Sequence, residues 1–431
     1  MKSLYKIIAL VVAIIFILCI GFGAYYARQD HEGADRHCGE QDFSNYTADG
    51  QETTLRQVLF IHRHGDRTSI TFPPLDPIGN DSFVKFHGYG QLTNEGKTRS
   101  YTLGKLLRQR YEKFVNNSVN KNMVLSRSSG VPRCVESAQL FLSAFLPLNK
   151  PDSPDAEALV WNSGCDELGD IWQPASIRSM GVPIDGMLAE ASICNSLMQE
   201  YANTIEKSYF VQSVHREYMN EAKILVEVLG YKADSFYEWI SAASYLATER
   251  DYFQESMESR ILDIYDRVQE AGRLCLLAYQ STVTARRLRS GLLVNDMIQN
   301  MKKVRKQIQA GEEKVKIIQY SSHDLNVFSL LGVLENVDRF PFPPNFGATI
   351  ILELHEEADE WFIKFFYMPS VPSALYEMHL DSCESGHPNK RCLLDKFEEI
   401  MYPYSIKSWS QWMKECNNDI YAIDPYQTAI F

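Results

Sequence analysis

The sequence predicts an α/β protein. It reads as a mixed central sheet flanked by helices, with a largely helical cap inserted between the second and third of the strands that end in charged loops, all preceded by one N-terminal transmembrane helix. Three observations predict this. Short apolar, β-rich runs stop at clusters containing arginine or histidine, and helical apolar spacing follows. From Pro183 to Pro341 no proline interrupts a charged stretch with helical spacing. Residues 7–27 carry no charge at all.

Taken in order, residues 1–6 form a cytosolic tail with Lys2 and Lys6, and residues 7–27 are long enough to cross a bilayer, which needs about 20 apolar residues. A cleaved signal peptide is the alternative, with Gly21 and Gly23 as small residues near a cleavage point. Either way the remainder faces the lumen or the exterior: membrane-anchored in lysosome, Golgi or cell surface, or secreted if the segment is cut. Residues 28–54 are polar and read as a stalk. An α/β core then spans 55–182, a helical cap 183–310, and the second part of the core 311–431.

In the core, Val58 to Ile61 is a buried strand that stops at His62-Arg-His-Gly-Asp-Arg-Thr68. Thr93 caps a helix whose apolar positions are Leu103, Leu106, Leu107, Tyr111 and Phe114. Met123 to Leu125 is a second strand, stopping at Ser126-Arg127-Ser128 before a helix from Glu136 to Phe145. Within the cap, Ser213 to Leu229 and Met257 to Leu277 carry helical spacing. Val315 to Tyr320 is a third strand, ending at Ser322-His323-Asp324 ahead of the helix Leu325 to Leu334. Thr349 to Leu354 and Trp361 to Met368 flank a polar turn and predict a hairpin.

A formal charge of −12 speaks against a nucleic-acid partner, which needs a basic surface, so any anion site must be local. Of nine cysteines, eight lie beyond the apolar span. That even set, with no C-x-x-C pair or Cys/His cluster, predicts disulfides rather than structural zinc. Cys383–Cys392 is the local pair and Cys194–Cys275 a further pairing. Sequons at Asn45, Asn80 and Asn116 are glycosylation candidates on the luminal side.

In open α/β sheets, ligands bind beyond the carboxyl ends of the strands. Three strand ends carry Arg63, His64 and Arg67; Arg127; and His323 with Asp324. Guanidiniums clamp phosphate oxygens bidentately and absorb transition-state charge. A neutral imidazole, His64, can attack phosphorus, and Asp324 can protonate the leaving alcohol if the anionic substrate raises its pKa. His323 then hydrogen-bonds phosphate, Gly65 lets the backbone approach it, and His62 and Asp66 read as structural. Arg133 lies close enough in sequence to compete with Arg127, whose strand-end position favours it. The predicted partner is a small phosphate monoester; the chemistry calls for no metal and no cofactor.

The stretch Val58-Leu-Phe-Ile-His-Arg-His-Gly-Asp-Arg67, followed by Ser322-His323-Asp324, Trp172-Gln173-Pro174 and the C-terminal cysteines, resembles the histidine acid phosphatase family. The resemblance implies an α/β core with an inserted helical cap, often a homodimer. It also implies phosphate-binding arginines at Arg63, Arg67 and Arg127, a nucleophile at His64, a second histidine at His323, a proton donor at Asp324 and a Cys134–Cys416 disulfide. The chain departs from the family pattern at Ser69, where proline is usual, and at Gly130 and Pro132, where acids are usual. Those departures leave two other expectations standing: a catalytically weak binding or structural ectodomain, and a dedicated sugar-phosphate, inositol-phosphate or lysophospholipid phosphatase.

Overall fold

The computed structural model describes residues 53–418 except 71, 77, 79–81, 116–122, 147–173, 190–193, 313, 338 and 340–342. The apolar span, the three sequons, Cys19, Cys38, Cys165 and Trp172-Gln173 lie outside the described residues. Among the described residues no helix is long and apolar enough to cross a membrane.

Eight strands make one mixed sheet: β1 (Leu55–Arg63), β2 (Val124–Ser129), β3 (Ile177–Met180), β4 (Ile317–Ser322), β5 (Thr349–Glu357), β6 (Glu360–Met368), β7 (Tyr376–Met378) and β8 (Cys392–Leu393). Their order is β3-β2-β4-β1-β5-β6-β7, with β8 also on β6. The first four are parallel, and from β5 onward pairing is antiparallel, β5 and β6 forming the expected hairpin. The short strands β3, β7 and β8 carry too few residues to show a period.

Helices α1 (Asn94–Arg110) and α2 (Pro132–Phe145) cover one face. There Phe60 of β1 meets Tyr111, Phe141 and Phe145 with ring centroids 5.5–5.6 Å apart. All four rings are fully buried, so truncating one to alanine removes about 3–5 kcal/mol. Thr93 caps α1 by accepting from Gly96 N, as its position predicts. Between β3 and β4 the described chain is helical, including α3 (Phe236–Phe253), α4 (Ser259–Ala278) and α5 (Val283–Gln309). Helix α6 (Asp324–Val333) follows β4 directly. Leu59 and Ile61 of β1 and Ile318 and Tyr320 of β4 join one core with Leu292, Val294 and Phe328 of α5 and α6.

Two expectations need correction. Strand β2 does not stop at Leu125 but runs to Ser129. Its serines survive burial because they are hydrogen-bonded, Ser126 Oγ to Gln319 Oε1 (2.7 Å) and Ser128 Oγ to Ser129 O (2.8 Å). The disulfides formed are Cys383–Cys392 and Cys194–Cys416. Neither Cys134–Cys416 nor Cys194–Cys275 is made; Cys134 and Cys275 are free and buried. Cys134 sits on α2 beneath the end of β4, whereas Cys194 opens the helix Asn195–Glu200, whose Ser196 N donates to Cys416 O at 3.0 Å.

Candidate active site

Parallel pairing of β1 with β4 builds the site. Arg63 lies opposite Ser322, and His64 N donates to Ser322 O at 3.0 Å. Residues 64 and 323–324 therefore leave the sheet side by side although some 260 residues separate them. The His64 and His323 rings stand 5.6 Å apart, edge to face.

His64 is 2 % exposed. Its Nδ1 lies 2.7 Å from the carbonyl of Gly65, which can only accept, so Nδ1 carries the proton and Nε2 presents its lone pair. That Nε2 faces Arg133, whose Nε donates to it at 3.0 Å. Burial, then the Arg133, Arg63, His323 and Arg67 charges, hold the His64 pKa well below the imidazole range and favour the neutral ring. His323 is held down to about 3, mainly by burial and Arg133. Its Nε2 meets Ser129 Oγ at 3.0 Å, and its own N–H donates to Asn326 Oδ1 as α6 begins.

Arg63 donates through Nη2 to Asp324 at 2.8 Å and through Nη1 to Pro344 O at 2.9 Å, its guanidinium 4.1 Å above the Phe346 ring. Arg67 reaches Thr68 O and, at 3.3 Å, Ser244 Oγ on α3, which ties the loop to the helical insert. Burial pushes the Asp324 carboxyl up, but Arg63, Arg67 and His323 outweigh it and hold it below its ordinary value. Its side chain is 31 % exposed, the most open of the group.

The loop itself is clamped by Asp66, which takes both Nε (2.5 Å) and Nη2 (3.1 Å) of Arg99 on α1. Gly65 is required by its close approach to α1. A Cβ there would fall 2.2 Å from Gly96 O, and a Cβ on Gly96 would fall 2.1 Å from Asp66 O. The two glycines let loop and helix touch backbone to backbone, and Gly65 N donates to Ser137 Oγ at 3.0 Å.

The structure thus brings together Arg63, His64, Arg67, His323 and Asp324, and it does not bring Arg127 to them through any contact seen. Because β2 continues past it, Arg127 is a mid-strand residue opposite Tyr320, and its Nη1 faces Asp296 of α5 at 3.4 Å. Asp296 in turn accepts from Tyr320 Oη at 2.7 Å. The arginine against the imidazole is Arg133, in the first turn of α2. Pro132 at the start of that helix was the available signal, since a helix N-terminus favours anions and proline marks it.

Known proteins are similar to this chain in sequence and in fold. The chain is 27% identical to the prostatic acid phosphatase of Rattus norvegicus over 84% of its length and 89% of that protein. It is 24% identical to the lysosomal acid phosphatase of Xenopus laevis, covering 84% and 79% respectively. The fold resembles that of the phytase from Citrobacter braakii, with a TM-score of 0.55 at 13% identity over 84% of this chain and 99% of that one. The sequence model of the histidine phosphatase superfamily (branch 2) matches residues 54–368, the span that carries β1, the cradle arginines, both histidines and Asp324, and the chain belongs to that superfamily.

Proposed function

We propose that the chain is a phosphoric monoester hydrolase of the acid phosphatase type, with His64 Nε2 as nucleophile and a covalent phosphohistidine intermediate. One observation carries the reading: a buried neutral imidazole, its proton fixed on Nδ1, presents Nε2 among Arg63, Arg67 and Arg133, with Asp324 close by on the neighbouring strand end. The arginines take the nonbridging oxygens, displacing Arg133 from the lone pair. Nε2 forms the N–P bond as the P–O bond to the alcohol breaks, and Asp324 gives the departing oxygen its proton. Phosphate charge competes for Arg63 and Arg67, the groups that hold Asp324 low, and so raises its pKa when a proton is needed. The resulting carboxylate takes a proton from water as that water breaks the N–P bond and releases phosphate. The similarity to acid phosphatases supports the same chemistry. The disulfides support a luminal or extracellular location, where the apolar span 7–27 tethers the enzyme or is removed; N-terminal sequencing of the mature chain distinguishes these.

The test is hydrolysis of radiolabelled p-nitrophenyl phosphate at pH 5, with the phosphorylated protein trapped by an alkaline denaturing quench, in which the N–P bond survives. His64→Ala abolishes both turnover and label. Asp324→Asn still becomes labelled by p-nitrophenyl phosphate, whose leaving group needs no proton, but not by an alkyl phosphate. A labelled His64→Ala protein sinks the mechanism. A folded wild type without turnover supports the binding-ectodomain alternative.

A further inference from the structure

Helix α3 serves the phosphate cradle with one side, through Ser244 against Arg67. Its next residues turn elsewhere. Tyr245, Leu246 and Glu249 line a cavity of about 300 Å³, a volume at the lower end of small-molecule sites. Leu229, Met257 and Ile261 give it an apolar wall. Three acids also line it, Asp76, Glu249 and Glu258, and among the described residues lining it none is basic.

The polar groups are unusual for such a wall. Asp76 and Glu249 are 8 % and 1 % exposed, and their carboxyl oxygens make this lining acidic. Asp76 uses Oδ1 to accept from Ile78 N at 2.9 Å. Tyr245 is 6 % exposed, and its buried hydroxyl finds no hydrogen-bond partner among the described residues. An ammonium has three N–H donors and no acceptor. Two carboxylates and a phenolic oxygen are acceptors of matching kind, and the Tyr245 ring adds an aromatic surface that attracts cations.

We propose that this cavity binds an organic cation, a primary ammonium on an unbranched apolar chain, with its head at Asp76, Glu249 and Tyr245 and its chain along Leu229, Leu246, Met257 and Ile261. This site is opposite in charge preference to the phosphate cradle and does not depend on the catalytic reading. The helix between them is shared, and Tyr245 of the cavity is the residue next to Ser244, which meets Arg67.

Titration calorimetry of the full chain at pH 7 with hexylammonium, 1-hexanol and hexanoate tests it. Hexylammonium is expected to bind at least about tenfold tighter than hexanol, as charged hydrogen bonds predict, with no heat from hexanoate. Tyr245→Phe keeps the ring and removes the acceptor, and Glu249→Gln keeps the shape and removes the charge. Both weaken hexylammonium and leave hexanol unchanged. Binding of hexanoate as tight as that of hexylammonium, or no binding of hexylammonium up to millimolar concentration, overturns the proposal from wild-type protein alone. So does a folded Glu249→Gln protein with unaltered affinity.

Discussion

Substituting Arg133 and Arg127 separately by glutamine tests the assignment on which the cradle depends. Arg133 Nε lies 3.0 Å from His64 Nε2, so its guanidinium sits where phosphate oxygens meet the nucleophile. Removing one preorganised donor of that kind costs about 10²–10³ in rate, or about 3–4 kcal/mol of transition-state stabilisation. Arg127 faces Asp296 at 3.4 Å, with side chains 19% and 27% exposed. A partly exposed pair of that geometry is worth about 1 kcal/mol or less. Asp296 also keeps its bonds to Tyr320 and Asn300 when the arginine is lost. Arg127→Gln should therefore leave kcat/KM within about fivefold of wild type and Arg133→Gln should lower it at least about a hundredfold. The assay is initial-rate hydrolysis of p-nitrophenyl phosphate at pH 5, with a melting curve to verify folding. A hundredfold loss in Arg127→Gln alongside a near-normal Arg133→Gln would refute the placement.

Four further outcomes follow from the same geometry. His64 is held neutral below its ordinary range, so kcat/KM should not fall between pH 6.5 and 5, as it would if an imidazole of pKa 6.5 had to lose its proton; a steep fall over that window contradicts the burial argument. His62, fully buried, has its pKa lowered to about 4, so below 6.5 the unfolded chain binds the extra proton and stability drops as pH falls. Between pH 7 and 5 that costs about 2 kcal/mol, and His62→Gln should flatten the urea-midpoint difference by this amount, while an unchanged difference counts against it. Gly96→Ala should cost most of the activity, since its methyl would overlap Asp66 O, and a fully active variant shows the loop free to move. Non-reducing peptide mapping should find Cys194 joined to Cys416, and Cys416→Ser should destabilise the chain by about 5 kcal/mol on the loop-entropy estimate; a Cys134–Cys416 peptide contradicts this.

Much of the fold was legible because its strands are buried and apolar. Val58 to Ile61, Val315 to Tyr320 and the Thr349–Met368 hairpin have few polar residues to confuse the reading, and the clusters that stop them mark strand ends. His64, His323 and Asp324 were found on that rule, as was Thr93 as a cap. Strand β2 defeats the same rule. Ser126, Ser128 and Ser129 resemble a loop, yet sit in the sheet because Gln319, the backbone and His323 satisfy their hydroxyls. That misplaced the strand end by four residues and put Arg127 at a strand end, whereas Arg133 is the arginine that meets His64. The local pair Cys383–Cys392 was legible, but the long-range pair was not, because residues 194 and 416 meet only through tertiary packing, which spacing does not encode. The cavity beside α3 was equally hidden, since its acids come from three separate segments.

The Cys194–Cys416 bridge has a consequence for biosynthesis. A ribosome delivers residue 194 long before residue 416, 222 positions later, and over that interval Cys194 has no correct partner. Closure must await residue 416, and until then Cys134 and Cys275 compete for Cys194. Folding removes the competitors by burying them, and Cys134, pushed up to about 12 chiefly by burial, keeps its proton and so lacks the thiolate that exchange requires. Correct pairing thus depends on packing the sheet and α2 before the last bond is sealed.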